Sequence, residues 1–320
     1  MKRIAIIILM AALIMGTYGC TMNNGNNSDK IKVVTTIFAA YDFARAVGGD
    51  KVEVDMLIKP GTEFHSYEPT PQDIIKIKES DLFIYVGGEN DEWVDEILDS
   101  LDDEINVLKL MDCVDRKYYE EVKDGMEEEH EHDGDENHDD HDEHEEWDEH
   151  VWNSPANAIS ICKKTAQKLV MLDEDNTTVY EKNCNSYCDK ISEIDRGFHG
   201  IVNNSVNKTL VFGDRFPLRY FVEEYGLDYY AAFPGCSANT EASAATIAFL
   251  IDKVKENNIK TVFKIELSNS NIANTIAKAN DAKVKTFYSM HNITKEDFDN
   301  GETYCSLMQR NLDSLKEALG

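Results

Sequence analysis

Residues 127–150 concentrate the side chains of this chain best suited to binding chemistry. The stretch EEEHEHDGDENHDDHDEHEEWDEH carries fifteen acidic residues and six histidines, with no lysine or arginine. Imidazoles interleaved with carboxylates offer many weak, exchangeable sites for divalent cations, and such a composition points to metal binding. With little apolar surface and much like charge, the segment cannot offset its ordering entropy, so a loop is expected rather than a helix or strand. The plainer reading is a solvated acidic loop. Six of the nine histidines of the chain in one short tract favour metal handling instead. His130, His132, His138, His141 and His144 form the expected low-affinity set, and His150 closes the tract directly before a helix.

Outside the tract stand only His65, His199 and His291. His65 follows a predicted strand in KPGTEFHSYEP, and His150 opens HVWNSP ahead of a predicted helix. Both lie where regular structure hands over to loop, the usual place for a site. His199 falls inside a long helix and is given no role. Six cysteines follow Cys20: Cys113, Cys162, Cys184, Cys188, Cys236 and Cys305. No C-x-x-C occurs, which argues against a zinc ribbon. Cys184 and Cys188 are i,i+4 neighbours on a predicted helix, where a disulfide would constrain little. Gly87-Gly88 ends a strand but lacks the other glycines of a nucleotide fingerprint.

The formal net charge is −29, of which the tract supplies about half. A body this acidic does not attract nucleic acid or an anionic membrane surface electrostatically. The amino terminus is different. Lys2 and Arg3 precede an apolar run over residues 4–15, too short for a comfortable membrane span, and this reads as an export signal over residues 1–19. Thr17-Tyr18-Gly19-Cys20 resembles a bacterial lipoprotein box, with Thr17 where leucine is usual. Lipidation of Cys20 is therefore expected, with residues 20–30 as a flexible tether. The mature chain would sit outside the cytoplasm, held at the membrane.

The elements that must position these residues alternate. Strands are predicted over 31–36, 52–58, 82–86 and 106–110, and helices over 38–47, 71–80 and 92–101; this spacing makes a parallel sheet covered on both faces. Residues 155–203 read as almost continuous helix, broken near 172–176. Alternation resumes with strands over 209–212, 228–233, 261–265 and 283–288, and helices over 217–225, 241–257, 271–279 and 304–319. The expected architecture is α/β: an N-terminal lobe over 31–174 with the acidic loop, a connecting helix over 175–207, and a C-terminal lobe over 208–320. Two such lobes leave a cleft at the carboxyl ends of their strands.

The runs 60–71, from Pro60-Gly61 through His65 to Pro69-Thr70-Pro71, and 148–158, DEHVWNSPANA, resemble the first and second metal-ligand motifs of the zinc and manganese substrate-binding lipoproteins of ABC importers. The intervening His-rich loop is similar to that of the zinc-specific branch. The resemblance implies two α/β lobes joined by one long rigid helix, a metal between them, and His65 and His150 as ligands. It fails at two places. Family members usually carry histidine in a phrase such as Phe-His-Asp-Ala-Phe, where this chain reads Phe212-Gly213-Asp214-Arg215-Phe216. Aspartate often follows the last strand, where this chain has Ser289-Met290-His291. His291 is the natural replacement ligand and Glu266 the next candidate, either as ligand or as a carboxylate orienting one; Asp214 and Cys236 come after.

Imidazoles with one carboxylate suit tetrahedral Zn2+, whereas an oxygen-richer set suits Mn2+. The expected function is capture of Zn2+ outside the membrane by a monomer that delivers it to an ABC permease, with the acidic tract as collector or sensor. A manganese-binding component or adhesin of the same fold is the alternative. A zinc hydrolase, with Glu266 or Glu63 as base, is the rival from another class, but there is no H-E-x-x-H.

Overall fold

The computed structural model describes residues 30–62, 67–101, 105–127, 146–237 and 241–320. Cys20, His65, and the tract histidines His130, His132, His138, His141 and His144 lie outside the described residues. Strands β1 (Ile31–Thr35) and β3 (Leu82–Tyr85) are β-branched and aromatic runs buried almost throughout, as parallel strands covered on both faces must be. With β2 (Val52–Met56) and β4 (Val107–Lys109) they form a parallel sheet in the order β2-β1-β3-β4. The second sheet repeats this plan. Strands β5 (Thr209–Arg215), β6 (Asp228–Phe233), β7 (Thr261–Lys264) and β8 (Lys283–Thr286) are parallel in the order β6-β5-β7-β8. Each sheet reverses direction of winding beside its first strand, which opens a crevice at the carboxyl ends.

Helices α1 (Phe38–Gly48), α2 (Pro71–Lys78) and α3 (Glu92–Asp99) belong to the first sheet. The start of α2 follows from sequence: Thr70 and Asp73 form a reciprocal capping box and Pro71 opens the first turn. Next come α4 (Pro155–Leu172) and α5 (Thr177–Asn204). The break between them is held by Asp173, whose carboxylate accepts from Asn176 Nδ2 at 2.7 Å and the Tyr180 hydroxyl at 2.8 Å. At 28 residues, α5 is about 42 Å long. Helices α6 (Arg219–Tyr225), α7 (Ala244–Glu256), α8 (Asn271–Ala279), α9 (Lys295–Asp299) and α10 (Tyr304–Leu319) accompany the second sheet.

Some helices are shorter than the sequence predicts, for local reasons. Ser243 caps α7 by accepting from Thr246 N, so residues 241–243 stay outside it. Pro217 stays outside α6, and its carbonyl takes the Asn153 amide at 2.6 Å.

Helix α5 packs against α1, α4 and α10, burying Tyr180, Cys184, Tyr187, Cys188, Ile191, Ile194, Phe198 and Val202 along one stripe. Asp42 of α1, fully buried, ties this bundle: its carboxylate accepts from Arg45 at 2.7 Å, the backbone N–H of Tyr304 at 2.9 Å, and the Tyr187 hydroxyl. One carboxylate thus joins α1, α5 and the last helix of the chain. Residues Ile31–Gly320 form a single unit.

Candidate metal centre

His150 is fully buried, at the end of the chain that returns from the acidic tract. Its neighbours fix it from both sides. The Asp148 Oδ1 atom accepts the His150 backbone N–H at 2.9 Å and lies 3.2 Å from Nδ1. This contact assigns the ring proton to Nδ1 and the lone pair to Nε2, the arrangement in which a carboxylate orients a metal-binding imidazole. Burial disfavours the imidazolium, yet Asp148, with Glu149 and Glu120 beyond it, raises the imidazole pKa above its usual value. Glu149 anchors the segment to the first lobe by accepting from Asn90 N at 2.9 Å and Asn90 Nδ2 at 3.2 Å. Gly88 makes the room: a Cβ there would meet the Glu149 carboxylate at 2.2 Å. Of the glycine pair after β3, Gly88 thus makes way for a carboxylate, while Gly87 makes way for the Lys109 side chain.

His291 arrives from the loop after β8. Its ring centre lies 5.2 Å from that of His150, with the planes at 88°. Two imidazoles sharing one tetrahedral zinc, each with nitrogen about 2.0–2.1 Å from the metal, have ring centres about 5 Å apart. Trp152 is the apolar floor, 5.4 Å from the ring of His150 and 5.0 Å from that of His291. Its indole N–H donates to the Ser289 carbonyl at 2.8 Å, and Tyr304 donates to its own carbonyl at 2.8 Å.

Glu266, just beyond β7, is held by Ser289 at both oxygens: the backbone N–H bonds Oε2 and the hydroxyl bonds Oε1, each at 2.7 Å. The same hydroxyl accepts the His291 backbone N–H at 3.3 Å. Burial raises the Glu266 pKa, and the two Ser289 bonds work against that rise. A carboxylate so engaged shapes the 289–291 turn as well as presenting charge.

Beside these residues lies a cavity of about 20 Å3 whose wall includes Thr62, Arg215, Gly235, Glu266, Ser289 and His291. That is room for an ion or one water, not for an organic substrate. Its lining comes from the carboxyl ends of β5, β6, β7 and β8 and from the loop after β2. His150 adjoins it, since a Cβ on Gly235 would lie 3.3 Å from His150 Cε1. The 289–293 loop also grips the first lobe. Asn292 Nδ2 donates to the carbonyls of Lys59 and Thr62 at 2.9 and 2.6 Å, and the carbonyls of His291 and Met290 receive the first N–H groups of α1 at 3.0 and 3.2 Å.

The second lobe explains the missing histidine. A Cβ on Gly213 would sit 2.5 Å from Ala273 Cα and 2.6 Å from Ala273 N, so α8 docks where a side chain would be. Asp214 is spent on backbone: its oxygens accept Arg215 N at 2.9 Å and Ile265 N at 3.0 Å, joining the ends of β5 and β7. Burial, reinforced by Glu120, pushes the Cys236 thiol well above its ordinary pKa, while the Cys236 backbone N–H donates to Glu120 at 2.7 Å. Among the described residues no group of three or more His, Cys, Asp or Glu is arranged to hold a metal by itself, and His65 lies outside them. Sequence reasoning missed the partners: Asp148 as orienter, Trp152 as floor, Ser289 as clamp, and Arg215 in the cavity wall. Asp148, two residues before a candidate ligand, was the one with a readable signal.

Two similar α/β lobes, buried imidazoles between them and an ion-sized cavity define a metal-binding protein of the two-lobed substrate-binding class. The chain belongs to the family described as "Zinc-uptake complex component A periplasmic", whose model matches residues 33–318. It is 32% identical over 320 residues to the high-affinity zinc uptake system protein ZnuA of Bacillus subtilis, covering 98% of this chain and 96% of that one. It is 31% identical to the zinc-binding lipoprotein AdcA of Streptococcus pneumoniae over 99% of this chain but only 61% of that protein. Among solved structures, the Zn(II)-bound ZnuA-like domain of S. pneumoniae AdcA superposes with a TM-score of 0.73 at 30% identity, covering 91% of this chain and 99% of that one. The metal-dependent lipoprotein YcdH of B. subtilis gives 0.74 at 29% identity, covering 91% of this chain and 100% of that one.

Proposed function

We propose that this protein captures Zn2+ outside the cytoplasm and hands it to an ABC-type permease, acting as a carrier and not as an enzyme. The observation that carries the reading is the buried perpendicular pair His150 and His291, 5.2 Å apart beside a cavity of about 20 Å3. Zinc is the cargo. His150 offers Nε2 while Asp148 holds Nδ1, His291 supplies the second imidazole, and His65, in the sequence run 60–71 that resembles the first ligand motif, is the proposed third. Glu266 adds negative charge, as a ligand or through the turn it holds. A site of neutral imidazoles with one carboxylate favours zinc over manganese, and the Zn(II)-bound AdcA domain supports that choice. Because ligands come from both lobes, release requires the contacts between the 289–293 loop and the first lobe to loosen; the α1, α5 and α10 bundle limits how far they part.

The amino terminus supports export, lipidation at Cys20 and a tether over residues 20–30, leaving a monomer anchored at the membrane. Among the described residues no helix is long and apolar enough to cross a membrane. Residues 31–174, 175–207 and 208–320 are the proposed lobe, connector and lobe. The acidic tract, through His130, His132, His138, His141 and His144, would collect zinc weakly ahead of the main site.

Chelator competition on a protein whose residues 128–145 are replaced by a Gly-Ser linker tests this directly. One tight zinc is expected, lost in His150→Ala and in His291→Ala. Retention of only weak, non-stoichiometric binding would put metal handling in the tract and sink the carrier reading.

A further inference from the structure

The residues flanking the acidic tract form a short strap. Tyr119 and Trp147 make an antiparallel bridge, the Glu120 N–H donates to the Glu146 carbonyl at 2.8 Å, and the Asp148 N–H donates to that of Tyr118 at 2.9 Å. By sequence the strap belongs with the first lobe, yet its side chains dock on the second. Glu121 accepts from the Tyr229 hydroxyl at 3.0 Å and pairs with Arg219 at 3.1 Å, while Lys123 reaches Asp228 at 2.6 Å. The Tyr220 hydroxyl donates to the Asp148 carbonyl at 2.9 Å. The segment that carries Asp148 and His150 is thus laid against β6 and α6.

Glu120 is the strap residue that reaches the metal centre. Its Oε1 accepts the Cys236 backbone N–H at 2.7 Å, and the Cys236 thiol bonds to the same carboxylate. These two bonds hold the turn after β6, and that turn is tightly packed. A Cβ on Gly235 would lie 3.0 Å from the Phe216 carbonyl oxygen, 3.2 Å from Pro217 Cα and 3.3 Å from His150 Cε1. Only bare backbone fits there, so where the turn is held bears directly on where the imidazole can sit. Gly235 also forms part of the wall of the ion-sized cavity. The charge of Glu120 acts on His150 as well, and a substitution that removes charge but keeps shape separates the two effects.

We propose that Glu120 is a positioning residue for the zinc site: by clamping the Gly235–Cys236 turn it keeps the cavity wall against the His150 ring and slows the escape of zinc. This assignment rests on the carrier reading. Glu120 holds residue 146 through its backbone and the opposing turn through its side chain, so it ties the segment bearing Asp148 and His150 to the wall that faces it. With alanine at this position the backbone pairing of the strap survives and the clamp is lost. The turn is then free to move off the ring, and the ring loses a surface that fixes its orientation. Groups that orient a metal ligand change affinity about 10- to 100-fold, and such differences fall mostly on dissociation.

The full chain is loaded with one equivalent of zinc and mixed with an excess of a chromogenic chelator, the slow phase of zinc transfer reporting the buried centre. Glu120→Ala should speed that phase roughly tenfold. Glu120→Gln keeps an oxygen that accepts the Cys236 N–H and should stay within about twofold of the parent. Lys123→Ala loosens the same strap away from the centre and should leave the slow phase unchanged, with helical circular dichroism the same in all three variants. An alanine variant that releases zinc at the parent rate, a glutamine variant as fast as the alanine one, or an equal acceleration by Lys123→Ala overturns the assignment. A parent protein with no slow phase would sink the carrier reading itself, and this assignment with it.

Discussion

Replacing Asp148 by alanine should weaken zinc binding without unfolding the protein. The side chain makes two contacts through one oxygen, 2.9 Å to the His150 backbone N–H and 3.2 Å to Nδ1. Hydrogen bonds to a charged group are worth about 1.5–3 kcal/mol. The Nδ1 contact strengthens when Nε2 donates to a cation, because the imidazole proton then becomes more acidic. At roughly 1.4 kcal/mol per decade, losing it should weaken zinc about 10- to 100-fold, the range expected for groups that orient a ligand. A second effect opposes this. Asp148 raises the His150 pKa, so its loss also lessens proton competition, and the weakening should be larger at higher pH. Chelator competition with the Gly-Ser linker protein at two pH values measures both. An affinity within about twofold of the parent at the higher pH, with one zinc still bound, would refute the idea that Asp148 orients a ligand imidazole.

Gly213→His should not restore a family-type ligand; with α8 backbone 2.5 Å from its Cβ, overpacking should cost about 1–3 kcal/mol, seen as a lower denaturation midpoint without tighter zinc. Asp42→Ala leaves Tyr187 and the Tyr304 N–H without their buried partner and should cost about 3–5 kcal/mol in chemical denaturation. Asp91 governs a pH effect. Burial, with Glu149 nearby, pushes its pKa up to about 7 although the backbone N–H groups of Val86 and Gly87 bond it. The folded state therefore holds a proton that the unfolded state has released between about pH 4 and 7, and this contribution to stability is lost as pH rises through about 7. Relative to Asp91→Asn, the parent should lose about 2.6 kcal/mol between pH 5 and 8; parallel stability curves for the two proteins would refute it.

Periodicity and composition determined much of this protein. The β-branched runs of β1 and β3, the Thr70-Pro71 start of α2 and the stop at Gly226 after α6 are local signals, set by residues within a turn or two of one another. The alternation of strand and helix then dictated two parallel sheets, because parallel neighbours need a crossover. The acidic tract and the two long motifs pointed to metal for equally local reasons.

Tertiary structure decided the rest. No sequence pattern brings His291 to within 5.2 Å of His150; their meeting depends on where two sheets end and how one loop crosses to the other lobe. Trp152, Ser289 and Arg215 were invisible because their roles exist only across the cavity. The close approach of α8 to Gly213 gave a physical reason for a residue that, in the sequence, was only a departure from pattern. Spacing likewise showed Cys184 and Cys188 as neighbours, but Cys162 of α4 beside them comes from how α4 packs on α5. Short-range chemistry is written in order along a chain, whereas a site assembled from five strand ends depends on packing that distant residues settle together.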